Sequence, residues 1–310
     1  MSRPKGKRSE RSRAVTRRRV LQGGAAATMA LASRAYAKDE ERLAAGQAKA
    51  ARDGRLPQSV VHWCYKDHWQ DVEEFARVTK GLGCVSVELI DPQHWPVLKK
   101  HGLVCAIAGT HGFVKGMNNP AHWGECIDIM TKRIDACADA GFPSVITFTG
   151  MREPNIPDDV GMKNCVEGYK KVVGQAEKKK VTLCLEMLNS RVDANMKGHP
   201  GYQGDHTDYC IEIIKKVGSP RLKLLFDVYH VQIMDGDVIA RIRQHKDYIG
   251  HVHTAGVPGR GELDDKQEVN YRPIMRALAE LAYKGYVGQE FIPTRDPLEG
   301  LRQAVEVCTV

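Results

Sequence analysis

The chain has 310 residues, 27% of them charged, with 46 Lys/Arg against 38 Asp/Glu and a formal net charge of +8. The excess sits at the front: ten Lys/Arg precede residue 38 against Glu10 alone, so the remainder is close to electroneutral. That excludes a general attraction to nucleic-acid backbones, and no later segment is apolar enough to span a bilayer.

In chain order, the first feature is Thr16–Ala37, TRRRVLQGGAAATMALASRAYA. Three arginines run into a short Ala/Gly-rich apolar stretch and then a small-x-small site, the order of an export leader. Thr16 to Gln22 resembles the twin-arginine signal. Expected from this are a signal peptide over 1–37 and carriage of the folded chain by the twin-arginine translocation machinery. A periplasmic or extracytoplasmic location follows. A basic arm binding anionic surfaces is the competing reading. Residues 38–55 read as a linker or an N-terminal helix, and 56–310 as a single catalytic domain.

From there apolar runs alternate with helical patterns. The expected strands are 59–65, 84–90, 103–111, 143–150, 181–188, 222–230, 248–255 and 286–293. They are short, β-branched and apolar throughout, as in a parallel sheet buried on both faces. Helices are expected over 69–82, 122–140, 162–179, 207–216 and 271–283. Gly83, Gly102, Gly141, Gly218 and Gly285 precede strands, where left-handed helix caps are expected. Eight such units in about 270 residues predict an α/β fold, a (β/α)8 TIM barrel. The competitor is an open doubly wound sheet, but that fold usually carries a Gly-rich phosphate loop after its first strand. The sequence there is CYKDHW, 64–69. The nine cysteines are odd in number, form no CxxC pair and fall within apolar runs or helical faces. They read as free thiols in the core rather than a disulfide framework.

The last four expected strands each carry one polar, metal-capable side chain late in an apolar run: Glu186 in LCLEML, Asp227 in LLFDVYH, His253 in GHVHTA and Glu290 in VGQEF. Barrel enzymes build their sites at strand C-terminal ends, and adjacent strands lie about 4.8 Å apart. Four neighbouring ends can therefore aim at one point. Each residue alone also fits an ordinary strand-end polar group; four in register argue for a shared centre. Three carboxylates in a dry pocket repel, and a divalent cation removes that conflict. Two Glu, one Asp and one imidazole suit Mn²⁺, Mg²⁺ or Co²⁺. His251 is expected to point away from His253, toward the helix layer.

On these residues, with DPQHWPVLKKHGL (91–103), FPSVITFTG (142–150), CLEMLNS (184–190), LLFDVYHVQIMDGDV (224–238), YIGHVHTAGVPGR (248–260) and GYVGQEFIPTRDP (285–297), the chain from Pro57 onward resembles the hydroxypyruvate isomerase family. That family belongs to the xylose isomerase-like barrel superfamily, and the leader suggests an exported branch. The resemblance implies that Glu186 and Glu290 move a proton between adjacent carbons through an enediolate. It implies a metal bound by Glu186, Asp227, His253 and Glu290. His230, read as ending the sixth strand, then contacts substrate or metal. Arg260, on a Gly/Pro-rich loop, has a fork suited to a substrate carboxylate. His111 lines the substrate site, and Trp63 and Tyr65 either wall it or pack. One departure stands out. Cytoplasmic hydroxypyruvate isomerases often carry Gln at the His253 position, whereas ketose epimerases carry His. The expected partner is a small hydroxy-keto acid or sugar, with no nucleic acid, no stable membrane insertion and, by resemblance, a homo-oligomer. Competing functions are a ketose 3-epimerase, an abasic-site nuclease and a non-catalytic periplasmic sugar-binding barrel.

Overall fold

The computed structural model describes residues 56–310; the expected leader and the linker or helix after it lie outside the described residues. Seven parallel strands form one sheet: β1 Gln58–Val61, β2 Ser86–Glu88, β3 Ser144–Thr147, β4 Thr182–Glu186, β5 Leu222–Asp227, β6 Ile249–Thr254 and β7 Val287–Gln289. Their order is β2-β1-β7-β6-β5-β4-β3. The segment expected as the third strand lies between the two ends. Its Val104 bridges Ser86 of β2, and its Ala108 bridges Val145 of β3. Leu89 N–H donates to Ile107 O, and Ala108 N–H to Ser144 O. The sheet therefore closes into an α/β barrel whose third stave makes bridges rather than a ladder. A local competitor explains this: Ala106 N–H is taken by the Ser86 hydroxyl at 2.8 Å, an alternative to strand pairing of the kind serine offers readily.

Helices cover the outside, among them Val72–Gly81, Trp123–Ala140, Asp158–Lys179, Thr207–Val217, Tyr271–Glu280 and Pro297–Val307. Two of their starts are written in the sequence. Asp71 accepts from Glu73 N–H, and Asp296 accepts from Glu299 N–H with Pro297 in the first turn, each the usual device for an orphan donor. Helix 207–217 buries Ile211, Ile213 and Ile214. Each such burial contributes about 1.5–3 kcal/mol. Gly141 and Gly218 cap their helices in the left-handed region, as expected. Gly285 does not adopt that conformation; a Cβ there would meet the Tyr283 hydroxyl at 2.2 Å and Gly250 O at 2.7 Å. Close approach, not a cap, fixes this glycine.

All nine cysteines are free and buried, in agreement with the core reading. Burial pushes the Cys84, Cys184 and Cys308 thiols up to about 12, so the reactive thiolate is suppressed. Among the described residues, no helix is long and apolar enough to cross a membrane.

Candidate active site

The strand ends carry the site. Asp227 closes β5 and pairs in register with His253 of β6, which in turn faces Gly288 of β7. Glu186 closes β4, and Glu290 follows β7, its N–H donating to Thr254 O at 3.0 Å. All four side chains are buried, and their ligand-type atoms lie within 4.8 Å of one another. The four expected residues are thus brought together at the C-terminal mouth of the barrel.

Two of the carboxylates are held by hydrogen bonds. Asp227 Oδ1 accepts from Tyr229 N–H at 2.8 Å, capping the short helix Val228–Met234. Glu290 Oε1 accepts from the Trp63 indole at 2.9 Å, and its Oε2 from Arg260 Nη2 at 2.7 Å. His253 Nδ1 lies 2.9 Å from Glu290 Oε2 and 3.6 Å from Glu186 Oε1, but without hydrogen-bond geometry. Three buried atoms of the group therefore have no hydrogen-bond partner: Glu186 Oε1, Asp227 Oδ2 and His253 Nδ1. Buried polar atoms without partners are uncommon. Two carboxylate oxygens and an imidazole nitrogen left free in one place fit a hard divalent cation.

The electrostatics follow from crowding. Burial, with Glu290 close by, raises the Glu186 carboxyl. Burial raises Asp227 to about 7, Glu290 and Glu186 adding to it against Arg260 and His253. Burial would also raise Glu290, but His253 and Arg260 beside it hold it well below the usual carboxylate range. The reverse holds for His253: burial would lower it, yet the surrounding glutamates raise it well above the ordinary histidine value. The two glutamates are thereby driven apart, one toward the acid and one toward the base, the pattern found where two carboxyl groups divide proton-transfer roles.

A fourth acid, Glu88 at the end of β2, stands behind His253. Its Oε2 lies 2.9 Å from His253 Nε2 and 2.9 Å from His251 Nε2, all three residues fully enclosed. Burial would raise it, but the two imidazoles hold it down to about 2. The contact turns His253 so that Nδ1 faces Glu186 and Glu290, as a carboxylate does behind a metal-binding histidine. Gly288 makes room: a Cβ there would meet Glu88 Oε2 and His253 Cδ2 at 2.8 Å. His251 therefore points inward with His253, contrary to expectation. Residues two apart on a strand share a face.

A cavity of about 210 Å³ opens over the group, lined among others by Trp63, Leu89, His111, Phe148, Glu186, His199, Arg260 and Glu290. Leu89 and Arg260 both hold φ values in the left-handed region, 51° and 57°, rare for bulky side chains and concentrated at functional sites. His111 lines the cavity as expected, its Nε2 3.0 Å from Thr147 Oγ1. Trp63 lines it too, whereas Tyr65 packs in the core against Phe75 and Phe291. His230 is not at a strand end. It lies on helix 228–234, because Asp227 caps that helix and ends β5. Its Nδ1 accepts from Asn189 N–H at 3.0 Å, and its Nε2 stands 3.5 Å from Asp227 Oδ2. Burial, with Arg260 nearby, lowers it well below the ordinary value, so it is neutral with the proton on Nε2, toward Asp227. Glu88, Asn189 and His199 are functional-site residues that the sequence analysis did not select.

The raised Asp227 carries a stability consequence. Between its ordinary value of 3.8 and about 7, the folded chain holds a proton that the unfolded chain has lost. Stability from this group is therefore present below about pH 4 and is lost as pH rises through 7. Asp227→Asn keeps an acceptor for Tyr229 N–H and removes the penalty. In chelator-treated protein, the variant is expected to melt on the order of 10 °C above wild type at pH 8, with the gap closing toward pH 4. A gap independent of pH in thermal scans contradicts this assignment.

Comparison with known proteins agrees with the architecture. The family described as "Xylose isomerase-like TIM barrel" matches residues 96–309, and the chain belongs to it. A 2-oxo-tetronate isomerase of Cupriavidus necator is 34% identical over 150 residues, 47% of this chain and 55% of that protein. A hydroxypyruvate isomerase of Escherichia coli is 31% identical over 137 residues, 44% and 50% respectively. The chain spans about half the length of the curated relatives it matches. An L-ribulose 3-epimerase structure superposes with a TM-score of 0.67 at 18% identity, covering 80% of this chain and 92% of that one; that likeness shows the fold.

Proposed function

We propose that the chain is a metal-dependent isomerase of a small 2-keto acid or keto-sugar, of the hydroxypyruvate isomerase type, converting hydroxypyruvate or a close relative to the neighbouring aldehyde. The observation that carries this is the convergence of Glu186, Asp227, His253 and Glu290 within 4.8 Å at one barrel mouth. These four would hold the cation, Mn²⁺ or Mg²⁺ by ligand type, with Co²⁺ also suited to them. Bound there, it supplies Lewis-acid polarisation of adjacent substrate oxygens. The chain does the rest. Glu290, kept ionised by Arg260 and His253, is suited to take the proton from carbon, and Glu186, whose proton is held more tightly, to return one to the neighbouring position. Phe113, Phe148 and Leu89 exclude water from the cavity wall. At about 210 Å³ the cavity is smaller than the 300–1,000 Å³ usual for larger ligands, which favours a short substrate.

The second reading, a ketose 3-epimerase, is favoured by the imidazole at 253 and uses the same residues. The nuclease reading is weakened by the near-neutral charge of the chain after residue 37, which offers no general attraction to a phosphate backbone. Proton NMR in heavy water distinguishes the first two. With metal-loaded protein and hydroxypyruvate or a panel of ketoses, deuterium is expected beside the carbonyl, and the exchanging carbon tells isomerase from epimerase. Absence of exchange with every substrate supports instead a sugar-binding barrel. On this reading the leader carries the folded, metal-loaded barrel to the periplasm, so that the choice of ion is made in the cytoplasm; retention of a tagged chain in the cytoplasm contradicts it.

A further inference from the structure

Among the described residues, Arg260 is the one guanidinium that reaches the four-residue group; it donates to one of that group's oxygens and stands at ion-pair distance from a second. Its Nη2 lies 2.7 Å from Glu290 Oε2 and 3.6 Å from Asp227 Oδ2. A divalent cation held by the same residues draws on those oxygens too. Two like charges in a water-poor cavity repel strongly, so both cannot keep these contacts undiminished.

The rest of the Arg260 environment does not involve those two oxygens, Glu290 Oε2 and Asp227 Oδ2. Its guanidinium carbon sits 5.3 Å from the Trp63 ring centre and 5.6 Å from that of Tyr229. Its Nη1 donates to Met196 O at 2.5 Å. Its backbone O accepts from Ile292 N–H at 2.7 Å, which fixes the loop. These anchors hold the guanidinium at the cavity wall whether or not Glu290 and Asp227 are engaged elsewhere. Its Nε–H is buried without a partner. Nε and Nη2 together form the two-donor edge of an arginine, the edge that matches a carboxylate in a paired hydrogen bond. Half of that edge is thus free, and the other half is spent on residues that a metal would claim.

We infer that Arg260 and the metal exchange partners: the cation takes Glu290 from Arg260, and the released Nε/Nη2 edge then receives the carboxylate of an anionic substrate. The inference rests on the metal-dependent reading above and adds to it a substrate class, small carboxylates rather than neutral sugars, and an order, metal before substrate. Metal and carboxylate then bind with positive coupling, which by linkage acts equally in both directions.

The test is Mn²⁺ binding by calorimetry and by electron paramagnetic resonance, with wild type, R260Q and R260K. R260Q removes the competing charge and is expected to tighten Mn²⁺ binding by roughly tenfold, a typical size for such coupling. R260K keeps a competing charge without the paired edge and is expected to stay within about threefold of wild type for Mn²⁺. In wild type, Mn²⁺ is expected to tighten glycerate binding by roughly tenfold while leaving glycerol unaffected, and R260Q is expected to lose the glycerate response. Equal or weaker Mn²⁺ binding by R260Q, or glycerate binding in wild type that ignores Mn²⁺, overturns the exchange alone. Failure of both wild type and R260Q to bind Mn²⁺ overturns it together with the metal centre, so the two failures are distinguishable.

Discussion

Glu186→Gln and Glu290→Gln are each expected to lower kcat by about 10²–10⁴-fold, the usual yield of a positioned acid or base, with the fold intact. The two carboxyl groups line the same cavity but sit in opposite electrostatic surroundings. Glu290 is flanked by Arg260 at 2.7 Å and His253 at 2.9 Å, and a cation that displaced Arg260 would put one positive neighbour in place of another, so Glu290 stays charged and able to accept a proton. Glu186 has neither contact at that range, and its Oε1 lacks a partner. The two variants should therefore fail differently in heavy water. Glu290→Gln is expected to stop deuterium entry and exit altogether. Glu186→Gln should still permit proton removal and slow return of solvent deuterium, without completed turnover. Each glutamine keeps one ligand-type oxygen, and metal content measured in parallel separates loss of the proton carrier from loss of the cation. More than about a tenth of wild-type kcat in both variants, well above the expected range, would remove the glutamates from the chemistry.

Removing Glu88 is expected to have the largest effect on stability. Glu88→Ala strips the shared acceptor from His251 and His253, leaving imidazole nitrogens enclosed at 0–1% exposure with nothing to receive them. Breaking a buried charged group by deleting one partner costs about 3–5 kcal/mol, which for a chain of this size lowers the melting temperature by on the order of 10 °C. His253 also loses the contact that turns Nδ1 toward Glu186 and Glu290, so metal affinity should fall by about 10- to 100-fold. Glu88→Gln, which preserves the shape and an acceptor oxygen, is expected to recover most of the stability and less of the affinity. A Glu88→Ala protein that melts within a degree or two of wild type would show the contact to be incidental.

The barrel and the four-residue group were legible for one reason. A charge late in an apolar, β-branched run has no place in a barrel interior unless it is used, and Glu186, Asp227, His253 and Glu290 announce themselves by that rule. Glu88 obeys it too, in SVELI, yet its meaning depends on partners across the barrel some 160 residues later, which no local pattern reveals. His230 reads as a strand end because Asp227 belongs to two elements at once: it ends an apolar strand and caps the helix that follows, and the run DVYH looks extended until the cap is seen. The third stave reads as a strand by composition but loses its ladder to one serine hydroxyl, a competition between side chain and backbone that periodicity cannot register. Asn189 and His199 reach the site through an irregular loop. There His199 N–H donates to Asn189 O and Asn189 Nδ2 to Lys197 O, and a chain path of that kind leaves no periodic trace in the sequence.

The nine enclosed sulfhydryls, spread from Cys64 to Cys308, have one further consequence. Because an alkylating reagent meets them only when the surrounding layers part, the pace at which each becomes labelled reports how often its neighbourhood opens. Residues on staves and on outer helices thus supply a built-in set of clocks, distributed around the ring, for following which sectors loosen first and whether a bound cation slows them together or only beside the mouth.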